Sequence, residues 1–157
     1  MDLSAELQFE LGIRLLVAAV LGGIIGLERE RRGHDAGVGT FAMVTLGACV
    51  FSLVSDLVFS AASDNTRIAS GVVEGIGFLG AGIIIHGRNG GINGLTTAAG
   101  LWATASVGML VGYGLYVLAI MTTVAVLLIL TIRHVRPVAR TLDDIREDEE
   151  PATDQDG

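Results

Sequence analysis

Five apolar stretches, separated by short polar segments, dominate the pattern of hydrophobic and polar positions along the chain. They run over Phe9–Leu27, Val38–Phe59, Ile68–Ile85, Leu95–Val111 and Leu115–Ile132. A helix that spans a bilayer needs about 20 mostly apolar residues, and each stretch comes near that length. The pattern therefore predicts an all-α protein, a polytopic transmembrane helical bundle with about five spans.

The segments between the apolar stretches have the composition of loops. "ERERRGHDAG" is charged, "SAASDNTR" is polar, and "HGRNGGING" is rich in glycine and asparagine. Only "GYG", Gly112 to Gly114, separates the last two stretches. We expect a tight hairpin there, because one continuous helix from Leu95 to Ile132 would be longer than the bilayer is thick.

Composition supports a membrane protein with a separate tail. The 157-residue chain is 51% hydrophobic and only 5% aromatic, which is too apolar for a soluble domain. Most of the net charge of −7 comes from the segment "DDIREDEEPATDQDG". We therefore expect a transmembrane domain over residues 1–140 and an acidic, disordered cytoplasmic tail over residues 141–157.

Arginine placement predicts the orientation in the bilayer. If five spans alternate, the arginines that follow the first, third and fifth stretches lie on one side: Arg29, Arg31, Arg32, Arg88, Arg133, Arg136 and Arg140. Short cytoplasmic loops carry an excess of positive charge, so that side is expected to be the cytoplasm. The prediction is a multi-pass protein of the plasma (inner) membrane, with its N-terminus outside and its C-terminus in the cytoplasm.

Two function classes find no support in the chain. A negative net charge argues against nucleic-acid binding. The histidines lie in loops or at helix ends, and no Ser/His/Asp spacing suggests a catalytic triad, so we expect that the protein is not an enzyme.

The run "GIGFLGAG" begins with the G-x-G-x-x-G spacing of dinucleotide-binding loops. It lies inside the third apolar stretch, and no acidic ribose ligand follows about 20 residues later, so a nucleotide site is not predicted. Small residues four apart instead let membrane helices approach closely. The glycines expected to pack against other helices are Gly22, Gly26, Gly71, Gly75, Gly77, Gly80, Gly82, Gly108 and Gly112. Their faces, which on the third helix include Glu74 and Phe78, are expected to turn inward.

Two ionisable residues lie within predicted spans, where such groups usually face the bundle interior. Arg14 and Glu74 both fall within about 10 Å of the predicted outer surface, at a rise of about 1.5 Å per residue, so they can pair. In the alternative, Arg14 snorkels or meets Glu10 one turn back, and Glu74 is neutral or bonded to a neighbouring hydroxyl.

The segment "LERERRG" can continue the first helix beyond the membrane. Glu28 and Arg32 stand four residues apart and can form an ion pair, while Arg29 falls below the glycine face. The alternative is a solvated charge run that faces lipid headgroups.

Further polar residues flank the third and fourth helices. Asp64 is expected to cap the first turn of the third helix, with an ion pair to Arg67 as the alternative. Thr96 and Thr97 open the fourth helix, and Trp102 follows about two turns later. Packing is the default role of all three.

We predict no cofactor, with a Mg²⁺ site as the alternative. Mg²⁺ prefers oxygen ligands and uses one or two carboxylates. The acids of the predicted outer half are scattered over three helices and form no ligand motif: Glu10, Asp56, Asp64 and Glu74.

Three segments in this order, "GGIIGLERERRGHDAGVGT", "DNTRIASGVVEGIGFLGAGIII" and "INGLTTAAGLWATASVGMLVGYGLY", resemble the MgtC/SapB family of bacterial and archaeal membrane proteins. The resemblance extends from the first to the fifth stretch. The family positions retained are Glu28, Arg29, Arg32, Gly37, Thr40, Asp64, Arg67, Gly75, Gly77, Phe78, Gly80, Gly82, Gly94, Leu95, Thr96, Thr97 and Trp102. The chain departs from the family at Gly39, where arginine is usual, and at Glu74, where a small or polar residue is usual.

The resemblance implies a role in magnesium homeostasis and adaptation to low Mg²⁺. In one mechanism, which we favour, the glycine faces bind a membrane-protein partner or a second copy, and the protein regulates its partner. In the other, the protein is a transporter or channel for Mg²⁺ or another small cation or solute. Many family members carry a soluble C-terminal domain, and we expect this chain to be the short form, which ends in the acidic tail.

Overall fold

Five helices make up most of the computed structural model, which describes residues 4–59, 65–86 and 92–135. They are α1 (Ala5–Arg31), α2 (Val38–Phe59), α3 (Asn65–Ile83), α4 (Leu95–Gly112) and α5 (Tyr116–Val135). Between α3 and α4 lie two short antiparallel strands, β1 (Ile85–His86) and β2 (Ile92–Asn93). The predicted all-α architecture is confirmed, and each helix overlaps one of the predicted apolar stretches.

Three helices of the described part are long and apolar enough to cross a membrane: α1, α4 and residues Val38–Leu57 of α2. The apolar part of α5, Tyr116–Ile132, is shorter. The chain divides into two compact units, Met1–Leu127 and Leu128–Gly157, and the core and surfaces discussed below belong to the first. The acidic tail, Asp64, Arg88, Arg136 and Arg140 lie outside the described residues.

The predicted break between the last two stretches is present, although α5 does not pack closely back along α4 as a tight hairpin would. α4 ends at Gly112, and the amide of Leu115 donates to the carbonyl of Leu110 at 2.8 Å to close the turn. Gly114 has a φ of 75°, a conformation that glycine adopts without steric cost. The local sequence therefore ends one helix and starts the next within three residues.

Helix α4 is the centre of the bundle and contacts α1, α2 and α3. One core cluster joins four helices through Ala18, Cys49, Leu53, Val107, Val111 and Ala119. A second cluster joins α2, α3 and α4 through Ala48, Ile76 and Ala105. Both clusters contain alanines, which allow the close helix approach on which packing in a bilayer depends.

Glycines of α1 and α4 lie where helix backbones touch. A Cβ on Gly26 would lie 2.7 Å from the Gly37 carbonyl oxygen, and one on Gly22 would lie 2.6 Å from the Phe41 carbonyl oxygen. On α4, a Cβ on Gly112 would lie 2.8 Å from the Cys49 carbonyl oxygen. A Cβ on Gly108 would collide with the backbone of α2. No side chain fits at these four positions.

The glycine face of α3 does not turn inward in the single chain, which corrects our expectation. A Cβ added at any of four glycines would meet no atom within 4 Å: Gly71, Gly75, Gly77 and Gly82. Phe78 on the same face is 83% exposed, and Glu74 is exposed as well. The neighbouring face packs instead. Val72 and Ile76 lie against Ala48 and Ala105, and a Cβ added at Gly80 would lie 3.5 Å from the Cβ of Ala98.

Side-chain volume explains why α3 turns Val72 and Ile76, and not its glycines, toward the core. α2 and α4 present Ala48 and Ala105 to α3, and the branched side chains of Val72 and Ile76 pack against them. A glycine face opposite those alanines would leave a void, which costs the dispersion contacts that hold helices together in lipid.

Candidate functional site

A set of charged and polar groups gathers where the C-terminus of α1 meets the N-termini of α2 and α4. We call it the polar junction and define it as Glu28, Arg29, Glu30, Arg32 and Thr97. Its residues come from "LERERRG" and "GLTTAAG", two segments that carry the family resemblance. The junction exists because α1 and α4 run antiparallel, so that the last turn of one lies beside the first turn of the other.

Arg29 is the buried centre of the polar junction. It lies below Gly22 and Gly26 on α1, is only 2% exposed, and donates from Nη2 to Oγ1 of Thr97 at 2.8 Å. Thr97 is itself buried. A hydrogen bond between a guanidinium and a hydroxyl in a low-dielectric interior is stronger than one in water, so this contact ties α1 to α4.

Glu28 and Arg32 form the predicted ion pair along α1. Oε1 of Glu28 lies 2.5 Å from Nε of Arg32, and both side chains are mostly buried, with exposed fractions of 14% and 26%. The pair closes the last turn of α1, where a cation also interacts favourably with the helix dipole. These two residues are therefore not the solvated charge run of the alternative interpretation.

Glu30 caps α2, a role that our sequence analysis missed. Its Oε2 accepts a hydrogen bond from the backbone amide of Val38 at 2.9 Å, the first residue of α2. A Cβ on Gly37 would lie 2.5 Å from the same oxygen, so a side chain there would displace the Glu30 carboxylate from Val38. The signal in the sequence was the lack of a Ser, Thr, Asp or Asn directly before α2, which leaves its first amides to a more distant acceptor.

The opposite end of α1 carries a second polar contact, centred on Arg14. Nη2 of Arg14 lies 2.6 Å from Oε1 of Glu10, and Nη1 donates to the Gly112 carbonyl oxygen at 2.9 Å. The guanidinium thus caps the C-terminus of α4, where carbonyls lack helical partners and a positive charge is favourable. Of the two interpretations of Arg14, the structure has the pair with Glu10 and not the pair with Glu74.

Glu74 lies on the outward face of α3. It lines a surface groove of about 390 Å³ with Ala69, Ser70, Val73 and Met109. Within the part of the chain that the structure describes, it makes no hydrogen bond or ion pair. Arg67, two turns earlier on α3, is exposed.

A larger and almost wholly apolar groove separates α2 from α3, and we call it the α2–α3 groove. It encloses about 520 Å³, and Ala105 of α4 forms part of its floor. Residues with small or flexible side chains line it: Thr40, Met43, Val44, Gly47, Ala48, Phe51, Gly71, Val72, Gly75, Ile76, Leu79 and Ala105.

The remaining candidates of α4 lie at its outer surface. Trp102 is 51% exposed and borders a groove of about 350 Å³ together with Gly77, Gly80 and Leu95. Thr96 is half-buried. Neither joins the polar junction.

The described acids do not gather into a cluster. Among the residues that the structure describes, no three His, Cys, Asp or Glu side chains come together. Glu10 is engaged by Arg14, while Asp56 and Glu74 are exposed on different helices. Asp64 lies outside the described residues.

Comparison with known proteins points to one family. The model of the MgtC family matches residues 15–138. The putative magnesium transporter YhiD of Escherichia coli K12 is 44% identical over 129 residues, which cover 78% of this chain and 60% of that protein. Protein MgtC of Brucella abortus is 45% identical over 127 residues, 80% of this chain and 51% of the relative.

Protein SrpB of Synechococcus elongatus is 41% identical over 133 residues, 77% of this chain and 73% of the relative. The matched part of this chain thus spans only about half to two thirds of the length of YhiD and MgtC. No solved structure matches the chain.

Proposed function

Because the chain belongs to the MgtC family, we propose that it acts in magnesium homeostasis by binding and regulating other membrane proteins rather than by carrying the ion itself. The family match and the apolar helices support a magnesium-related membrane protein. The choice of regulation over transport rests on how polar groups are distributed in the bundle.

The membrane arrangement that we propose has five spans in the plasma membrane, with the N-terminus outside. Antiparallel α1 and α4 agree with helices that alternate in direction. The arginines of the polar junction then lie at the cytoplasmic end, as the charge bias of short loops favours. Reaction of single engineered cysteines at Ser4 and at Gly33 with an impermeant thiol reagent tests this: Ser4 is expected to react from outside and Gly33 only after lysis.

The observation that carries the proposal is the apolar interior between the two charged ends of the bundle. Arg14 and Arg29 are fifteen residues apart on α1, about 22 Å along its axis. Between their levels the core consists of residues such as Ala18, Cys49 and Val107. A cation would have to cross this region without charged oxygen ligands from the described core side chains, which is costly.

Four buried hydroxyls of this region bond within their own helices. Each donates to the carbonyl four residues earlier in its own helix: Thr45 to Phe41, Ser52 to Ala48, Thr104 to Gly100 and Thr123 to Ala119. Such back-bonding satisfies a hydroxyl inside a helix and does not build a path between helices.

The surface of the bundle, by contrast, has room for another helix. The α2–α3 groove is open, apolar and bordered by Gly71 and Gly75, which have nothing within 4 Å of an added Cβ. A groove with these small residues lets the backbone of another membrane helix approach closely. We therefore assign partner binding to this side of the bundle.

Transport is the second candidate function, because the relative YhiD is named a putative magnesium transporter. A measurement of Mg²⁺ flux distinguishes transport from regulation of a partner. Purified protein is reconstituted in phosphatidylcholine vesicles that contain a Mg²⁺-sensitive dye, and Mg²⁺ is added outside. We expect entry no faster than in protein-free vesicles. Faster entry that is abolished by Glu74→Gln or Asp64→Asn would establish transport and overturn the proposal.

Partner binding is tested by copurification from native membranes. Gly71→Leu fills the α2–α3 groove, and its matched control is Gly12→Leu on α1, which also has open space around its Cα. We expect a defined membrane partner with the wild type and with the Gly12 variant, and its loss with the Gly71 variant. Equal recovery with both variants would contradict a role for the groove.

A further inference from the structure

We draw no further inference here: the strongest candidate, the first turn of α4 beside the buried guanidinium of Arg29, belongs to the polar junction already described, where Thr97 of that turn is engaged by Arg29.

Discussion

Replacement of Gly26 by alanine tests whether backbone contact between α1 and α2 holds the bundle together. The new Cβ would lie 2.7 Å from the Gly37 carbonyl oxygen and from the Cα of Val38, about 0.7 Å closer than ordinary contact at 3.4 Å. Both neighbours are backbone atoms and cannot move aside by a rotamer change. The helices must separate, which costs about 1–3 kcal/mol in a well-packed core.

Alanine also regains helix propensity, up to about 1 kcal/mol relative to glycine. With the full propensity gain, we therefore expect Gly26→Ala to lower the free energy of unfolding by about 0–2 kcal/mol. Gly75→Ala is the matched control, since nothing lies within 4 Å of its added Cβ. Only the propensity gain applies there, so this variant is expected to be neutral or stabilised by up to about 1 kcal/mol.

The assay is unfolding in mixed micelles by titration with sodium dodecyl sulfate. Helix content is followed by circular dichroism, and Trp102, the single tryptophan, serves as a fluorescence probe in α4. The wild type and both variants are compared at equal detergent concentration. A Gly75 variant that unfolds at a lower sodium dodecyl sulfate fraction than the Gly26 variant would refute the assignment of the inward faces.

Three further predictions concern the polar contacts at the two ends of the bundle. Thr97→Val removes the acceptor of buried Arg29 and is expected to cost about 1–3 kcal/mol in the same titration, whereas loss below 0.5 kcal/mol would contradict the contact. Arg14→Met leaves the Gly112 carbonyl without its charged donor and is expected to cost about 1.5–3 kcal/mol, with faster amide exchange in the turn between α4 and α5. Glu30→Ala removes the cap of α2 and is expected to cost about 0.5–2 kcal/mol, and Glu30→Gln, which keeps an acceptor oxygen, is expected to retain more stability than Glu30→Ala.

The structure also changes how substitutions on α3 should be interpreted. Had the glycine face turned inward, Gly75→Leu would disrupt folding and expression. With this face outward, the same change is expected to leave the single chain intact and to alter only what binds in the α2–α3 groove. A normal yield of this variant together with loss of a partner would identify the face as an interaction surface.

Local chemistry along the chain was sufficient to predict the five helices, the helix break at Gly112–Gly114 and the Glu28–Arg32 ion pair. In a bilayer every backbone polar group needs a partner within its own segment, so a long apolar run already implies a helix. An ion pair between residues four apart likewise depends on helix geometry alone. None of these features requires knowledge of which helix lies next to which.

Only the tertiary structure decided the partners of Arg14 and Arg29, the cap that Glu30 provides and the face that α3 presents to the core. Arg29 meets Thr97 across 68 positions of sequence, and Arg14 meets Gly112 across 98. The rotation of α3 depends on whether Val72 and Ile76 or the glycines fit better over Ala48 and Ala105. Such choices depend on volumes and donors contributed by different helices, and the periodicity of one helix carries no information about its neighbour.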